Sequence, residues 1–207
     1  MKTRIKICGL TREADVDAAV AAGADAIGFV FYPPSPRYVT PQRAAELAQR
    51  IPPFVTLTAL FVNAAPEEIE AVLARVPVNL LQFHGDEREA ECRRWSRPYI
   101  RAARVKPEMD LLQYAAEFSG ARALLLDAFV DGYGGGGQVF DWSLIPANLP
   151  CPMILSGGLS PENVGEAVRK VRPAAVDVSS GVEAAKGIKD AAKITAFVAA
   201  VRAADAT

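Results

Sequence analysis

The chain has 207 residues, 51% of them hydrophobic, and a formal net charge of −1 at pH 7. This length suits one domain with a sizeable core, while the balanced charge and scattered Lys and Arg favour neither nucleic acid nor an anionic membrane as a partner. No N-terminal leader is recognisable, and no apolar run reaches the roughly 20 residues that span a bilayer.

Short apolar runs bounded by turn residues alternate with helical segments along the chain. The eight predicted strands are, in order, 4–8, 26–31, 56–62, 80–84, 99–105, 123–127, 153–156 and 175–179. Strict alternation predicts a parallel sheet, and eight strands favour closure into a (β/α)8 TIM barrel over an open doubly wound sheet. We therefore expect one α/β domain of the phosphate-binding barrel type that covers residues 1–207.

Helix boundaries follow from capping signals between these strands. Thr11 is expected to cap a helix that ends at Gly23, and Thr40 precedes a proline at the start of the next. Asp86 and Glu89 form a capping-box pattern.

The three cysteines are Cys8, Cys92 and Cys151, an odd number at wide spacing without a C-x-x-C pair. A disulfide framework or a zinc site is therefore not expected. This usage is typical of free thiols in a reducing cytoplasm.

Side-chain alternation along the strands sorts apolar residues outward and polar residues into the barrel. The inward polar set comprises Arg4, Lys6, Cys8, Gln82, His84, Asp127, Asp177 and Ser179. Four of them end their strands, namely Cys8, His84, Asp127 and Ser179. Burying a polar group costs free energy unless the group is hydrogen-bonded or ion-paired, so its presence there suggests a function. The carboxyl ends of the strands are where barrel enzymes have their active sites.

Two glycine-containing loops follow the last two strands. Gly157 and Gly158 follow strand seven, and Ser180 and Gly181 follow strand eight. Their backbone N–H groups predict a phosphate site at the position usual for barrels, so the expected partner is a small phosphorylated metabolite.

Motifs along essentially the whole chain resemble the phosphoribosylanthranilate isomerase family of tryptophan biosynthesis. They are Lys6-Ile7-Cys8-Gly9-Leu10-Thr11, Pro34-Ser35-Pro36-Arg37-Tyr38, Leu81-Gln82-Phe83-His84-Gly85, Leu125-Leu126-Asp127, Gly135-Gly136-Gly137-Gln138, and the segments 155–159 and 176–183. The resemblance implies an isomerase that converts N-(5-phosphoribosyl)anthranilate into 1-(2-carboxyphenylamino)-1-deoxyribulose 5-phosphate by an Amadori rearrangement, a chemistry that needs no metal or redox cofactor.

The resemblance also implies roles for individual residues. Cys8 would be the general base, Asp127 the general acid, and Arg37 the partner of the anthranilate carboxylate. A free thiol is only a few per cent ionised at neutral pH, so we expect Lys6, inward on the same strand, to lower the pKa of Cys8. His84 is either a substrate contact or a hydrogen-bonding residue of the rim. The glycines at 134–137 predict a flexible flap beside the acid.

Three other functions compete with this one. The sugar isomerase of the histidine pathway is expected to use two aspartates where this chain has Cys8 and Asp127. A barrel that only binds ligand would not need both of these groups, and a thiol redox module would need a resolving cysteine. The sequence leaves open whether the protein is a monomer or a homodimer, and whether it also acts on the histidine-pathway substrate.

Overall fold

A computed structural model of the chain describes residues 2–128 and 139–206. Its eight parallel strands are β1 Arg4–Cys8, β2 Ala26–Val30, β3 Thr56–Phe61, β4 Leu80–Phe83, β5 Tyr99–Val105, β6 Leu124–Ala128, β7 Met153–Leu155 and β8 Ala175–Val178. They pair in sequence order, and β8 pairs with β1 to close the barrel. The predicted fold class is confirmed, and each predicted strand end lies within one residue of the observed end.

Helices cover the outside of this barrel. They are α1 Glu13–Ala22, α2 Pro41–Ala48, α3 Pro66–Leu73, α4 Glu89–Arg93, α5 Leu111–Glu117, α6 Val164–Val171 and α7 Ala191–Asp205. A 3-10 turn, Trp142–Leu144, follows β6, and a second one, Ser180–Val182, follows β8. The second turn leads into a hairpin of β9 Glu183–Ala185 and β10 Ile188–Lys189, which the sequence did not predict.

Apolar burial follows the predicted alternation. Outward residues such as Ile5, Leu81 and Val176 are fully buried beneath the helices. A separate apolar cluster that includes Ile100 and Leu125 fills the inside of the barrel below the polar rim. This part of the barrel is therefore a packed core, and the polar site residues lie nearer the carboxyl ends of the strands.

Two of the predicted caps are confirmed and two are wrong. Gly23 ends α1 in the left-handed conformation, and the Thr40 side chain accepts from the N–H of Arg43 at the start of α2. Helix α1 begins after Arg12, because the hydroxyl of Thr11 instead donates to the carbonyl of Gly187.

The capping box predicted at Asp86 and Glu89 lies two residues further along the chain. Helix α4 begins at Glu89, so it is Glu91 that accepts from the N–H of Arg88. Asp86 instead pairs with Arg104 of β5.

Within the described residues, no helix is both long and apolar enough to cross a bilayer. Cys8, Cys92 and Cys151 are all free thiols, as predicted. The predicted flap at 134–137 and the motif that ends at residue 138 lie outside the described residues.

Candidate active site

All eight residues proposed for the site from sequence lie at one end of the barrel, where the parallel strands reach their carboxyl ends. Cys8 and Asp127 are strand residues of β1 and β6, and the others follow a strand directly or in the loop after it: Arg37 after β2, His84 after β4, Gly157 and Gly158 after β7, and Ser180 and Gly181 after β8. Because every strand runs in the same direction, these positions share one mouth.

Cys8 lies in this mouth with 4% of its surface exposed. Burial raises the pKa of its thiol, and the positive charge of Lys6 offsets only part of that rise. The predicted influence of Lys6 therefore has the expected sign, but burial outweighs it and the net shift is upward.

Lys6 is held inside the barrel by Asp177 of β8. Its Nζ lies 2.8 Å from Asp177 Oδ1, and both side chains are buried. Burial is the largest single effect and favours the neutral form of Lys6, but the charges and hydrogen bonds of Asp177 and Cys8 together outweigh it and raise the lysine pKa, so Lys6 stays charged. The hydroxyl of Ser156, after β7, lies 3.4 Å from the second oxygen of Asp177.

Asp127 stands on the other side of the mouth. Its Oδ1 accepts from the N–H of Ala128 at 2.9 Å, and its Oδ2 lies 3.2 Å from His84 Nε2. Gln82 Nε2 approaches His84 Nδ1 at 3.2 Å. An amide nitrogen only donates, so Nδ1 accepts and the ring proton lies on Nε2, which has no hydrogen-bond partner among the described residues. His84 thus belongs to a rim network, one of the two roles left open by the sequence.

The two proposed catalytic strands are not neighbours in the barrel. On one side β7 and β8 separate β6 from β1, and on the other side four strands do. Cys8 and Asp127 therefore lie on non-adjacent strands that end at the same mouth.

Arg37 is not a free loop arginine. Its Nε and Nη2 donate to the two oxygens of Glu183, at 2.7 and 2.9 Å, and both side chains are largely buried. A Cβ placed on Gly9 would lie 2.5 Å from Arg37 Cδ, so the arginine stem crosses directly over the loop after β1.

The sequence interpretation missed a buried lysine beside this pair. Lys189 of β10 is fully buried, and its Nζ lies 3.0 Å from Glu183 Oε1. The same Nζ donates to the carbonyl of Ser179 at 3.0 Å and contacts its hydroxyl at 3.2 Å. Nothing in the local pattern around Gly187-Ile188-Lys189 signals this role, because the hairpin that turns Lys189 inward was not predicted.

The two glycine loops touch each other and the acid. Gly157 has φ +80, and a Cβ there would lie 2.4 Å from the nitrogen of Ala128 and 2.9 Å from Asp127 Oδ1. A Cβ on Gly181 would lie 1.9 Å from the carbonyl oxygen of Leu159. Both positions require glycine, which lets the loops after β7 and β8 form one backbone surface beside the mouth.

This mouth therefore combines a thiol, a carboxyl group, a cationic cluster and the closely packed backbone of two glycine loops. Such a set can transfer protons and bind an anion. Among the residues that the structure describes, no group of three or more His, Cys, Asp or Glu is placed to hold a metal ion.

Comparison with known proteins gives a consistent result. Residues 5–200 match the family model described as N-(5'phosphoribosyl)anthranilate (PRA) isomerase. The chain is 71% identical over 205 residues to an N-(5'-phosphoribosyl)anthranilate isomerase of Dechloromonas aromatica, covering 99% of each chain.

Solved structures of such isomerases have the same fold. A phosphoribosyl anthranilate isomerase of Thermotoga maritima is 44% identical with a TM-score of 0.88, over 97% of this chain and 99% of that one. Another, solved in complex with reduced 1-(o-carboxyphenylamino)-1-deoxyribulose 5-phosphate, is 42% identical with a TM-score of 0.85 over the same shares.

Proposed function

The chain belongs to the N-(5'-phosphoribosyl)anthranilate isomerase family of tryptophan biosynthesis, and we propose that it runs the Amadori rearrangement of that substrate by acid–base catalysis between Asp127 and Cys8. The observation that carries this proposal is the placement of the two groups on β6 and β1, across one mouth. An acid and a base on opposite sides of the sugar are what the rearrangement needs.

The reaction begins at Asp127, which gives a proton to the ring oxygen of the ribose. The C1–O bond then breaks, and the anilino nitrogen becomes part of a cationic Schiff base. Cys8, as thiolate, removes the proton on C2 to give an enolamine. The enolamine takes up a proton at C1 and loses the one on its C2 oxygen, so the product is an isomer of the substrate.

The order of these steps suits the environment of Cys8. Burial raises the pKa of the thiol in the unliganded site. A Schiff-base cation formed next to the sulfur favours the thiolate, because an opposite charge at close range stabilises the ionised form. We infer that ring opening by Asp127 precedes and promotes proton removal by Cys8.

The remaining residues bind the two anionic ends of the substrate. We assign the phosphate to the backbone of Gly157, Gly158, Ser180 and Gly181, supported by the contact between their two loops. We assign the anthranilate carboxylate to Arg37, because guanidinium binds a carboxylate through two parallel hydrogen bonds. His84 orients the side chain of Asp127 and closes that side of the mouth.

The expected setting is the cytoplasm, which the unpaired state of Cys8, Cys92 and Cys151 supports. The expected partner is the small phosphorylated substrate, with no nucleic acid, and the protein is expected to be a monomer or a homodimer.

A fluorescence assay on N-(5'-phosphoribosyl)anthranilate tests the function directly, with the histidine-pathway substrate assayed in parallel. Cys8→Ala and Asp127→Asn should each lower kcat by about 10²–10⁴, the range for loss of a general base or acid, and leave binding of the reduced product analogue largely intact. Turnover near the wild-type value in either variant would remove that residue from the mechanism.

Two matched variants control for the loss of a buried thiol and of a carboxyl group. Cys92 is a buried thiol of α4, and Asp17 is an exposed carboxyl group within α1 that pairs with Arg50. Cys92→Ala and Asp17→Asn should keep kcat close to wild type, since both residues lie within outer helices and neither contacts a site residue.

A further inference from the structure

We propose that Glu183 is a positioning residue that aims Arg37, so that the outer fork of its guanidinium is presented to the substrate carboxylate. This inference rests on the carboxylate role proposed for Arg37. It adds a specificity-determining group to the site, one that would not itself touch the substrate.

The hydrogen bonds define which part of the guanidinium remains available. A guanidinium has two forks, one between Nε and one Nη, and one between the two Nη atoms. Glu183 occupies the first fork through Nε and Nη2 at 2.7 and 2.9 Å. Nη1 and the second hydrogen of Nη2 form the other fork, which is directed away from Glu183; among residues 2–128 and 139–206 it has no hydrogen-bond partner, so it can bind a second carboxylate bidentately.

Burial fixes this orientation. The Arg37 side chain is 11% exposed and that of Glu183 is 6% exposed. A long arginine side chain ordinarily loses rotamer freedom when it binds a ligand, and that loss weakens binding. Because Glu183 holds the side chain before the substrate arrives, most of this loss is incurred on folding instead.

A carboxylate next to a carboxylate-binding site would by itself repel the substrate. Lys189 removes this conflict, since its Nζ lies 3.0 Å from the same Oε1 that accepts from Arg37 Nε. Burial lowers the pKa of Lys189; with this lysine protonated, two cations and one anion give the cluster a net charge of +1. Burial favours protonated Glu183, but the two cations outweigh it and lower the glutamate pKa, so the carboxylate stays ionised.

Lys189 also ties this cluster to the proposed phosphate loop. Its contacts with the carbonyl and hydroxyl of Ser179 fix the residue directly before Ser180 and Gly181. Glu183 follows the same loop by two residues. One buried carboxylate thereby sets the distance between the groups assigned to the two anionic ends of the substrate.

The test compares two ligands that differ only in the carboxylate. One is reduced 1-(o-carboxyphenylamino)-1-deoxyribulose 5-phosphate, and the other is the same compound without the ring carboxyl group. The Kd of the ligand without the carboxyl group, divided by the Kd of the ligand that carries it, measures how much the carboxylate contributes to binding. Glu183→Gln should lower this ratio about tenfold, through weaker binding of the first ligand only, because Arg37 loses its fixed orientation.

The competing explanations predict different results. If Glu183 acted only through its charge, Glu183→Gln would strengthen binding of the carboxylate ligand. If it only stabilised the fold, both ligands would weaken equally. Either result overturns the proposal.

Variants of Arg37 separate this inference from the proposed function. Arg37→Ala should bring the ratio close to one, and adding Glu183→Gln to it should change nothing further. If Arg37→Ala keeps the wild-type ratio, Arg37 does not bind the carboxylate. If Glu183→Gln alone keeps the wild-type ratio, only the positioning role of Glu183 is rejected. In Arg37→Lys, which has no fork to aim, Glu183→Gln should leave the ratio unchanged.

Two further variants guard against effects of folding. Arg50 donates to Asp17 through the same two atoms, Nε and Nη2, at 2.6 and 2.5 Å, on the exposed surface of the protein. Asp17→Asn makes the equivalent change away from the site and should keep the wild-type ratio. If Glu183→Gln does not fold, Glu183→Asp replaces it in the test. Glu183→Asp retains the negative charge beside Lys189, but its shorter side chain cannot hold Arg37 in the same orientation, so it should also lower the ratio. A wild-type ratio in Glu183→Asp rejects the proposal.

Discussion

Gly28→Ala adds one methyl group next to the proposed base without removing any polar atom. A Cβ at this position would lie 2.8 Å from Cys8 Sγ and 3.1 Å from Lys6 Nζ. Nonbonded heavy atoms are best separated by about 3.5–4.0 Å, so the thiol has to move by about 1 Å. Because a shift of about 1 Å in a reacting group costs on the order of 10² in rate, we expect kcat to fall about 100-fold.

The variant should still fold. Overpacking of a core by one methyl group costs about 1–3 kcal/mol, while domains of this size are typically stable by about 5–15 kcal/mol. A loss of kcat with a cooperative unfolding transition and unchanged binding of the reduced product analogue would therefore report on the placement of Cys8. The fluorescence assay gives kcat and KM, and thermal unfolding gives the stability.

Gly165 in α6 supplies the matched control. A Cβ there meets its nearest neighbour, Arg169, at 3.5 Å, which is an ordinary contact. Gly165→Ala should keep wild-type kcat and gain about 0.5–1 kcal/mol, since glycine is a poor helix former. Wild-type kcat in Gly28→Ala would refute the reasoning, because it would mean that the reaction does not depend on where the thiol lies.

Two other predictions concern charge. The ultraviolet absorbance of the thiolate, measured in a Cys92→Ala, Cys151→Ala background, should show Cys8 titrating above its usual pKa. Lys6→Met should shift this titration further upward, because the Lys6 charge favours the thiolate; a downward shift would contradict that role of Lys6. Asp25 accepts hydrogen bonds from the N–H of Ile5 and from Arg4 and Arg202, so Asp25→Asn should lower the free energy of unfolding in urea by about 1–3 kcal/mol. These partners together outweigh burial and lower the pKa of Asp25 in the folded protein below its usual value of 3.8. The stability that the Asp25 carboxylate contributes is therefore present above pH 3.8 and is lost as the pH falls through the lower pKa of the folded protein. An Asp25→Asn variant that loses stability with acid just as the wild type does would contradict this.

The barrel could be predicted because its signals are local. Each strand is a short apolar run next to turn residues, and its alternation decides which side chains enter the barrel, as Leu81 outside and Gln82 inside illustrate. Helix starts were harder, because a capping residue can bind elsewhere. Thr11 is an adequate cap by type, but its hydroxyl is used by Gly187, which lies 176 residues further along the chain.

The partners of the site residues could not be predicted for the same reason. Alternation shows that Lys6 and Asp177 face inward, but only their register on adjacent strands shows that they pair. Arg37 and Glu183 are 146 residues apart, and their contact depends on a loop and a hairpin that carry no periodic pattern. The sequence therefore indicated which residues gather at the mouth, while the contacts that orient them required the structure.

The sign of the pKa shift at Cys8 illustrates a deeper limit. The sequence placed a lysine near the thiol and predicted a lower pKa, and the structure contains that lysine in the expected place. The thiol pKa is nevertheless raised, because opposing effects compete: burial, the largest, raises it, Lys6 lowers it, and Asp177 raises it again. The identity of neighbouring residues gives the sign of each effect, but the balance depends on distances and on solvent exposure, so only coordinates could decide it. Since the environment of the proposed base disfavours its thiolate, a positive charge that favours the thiolate has to come from the substrate, which is why the Schiff-base cation has a central place in the proposed mechanism.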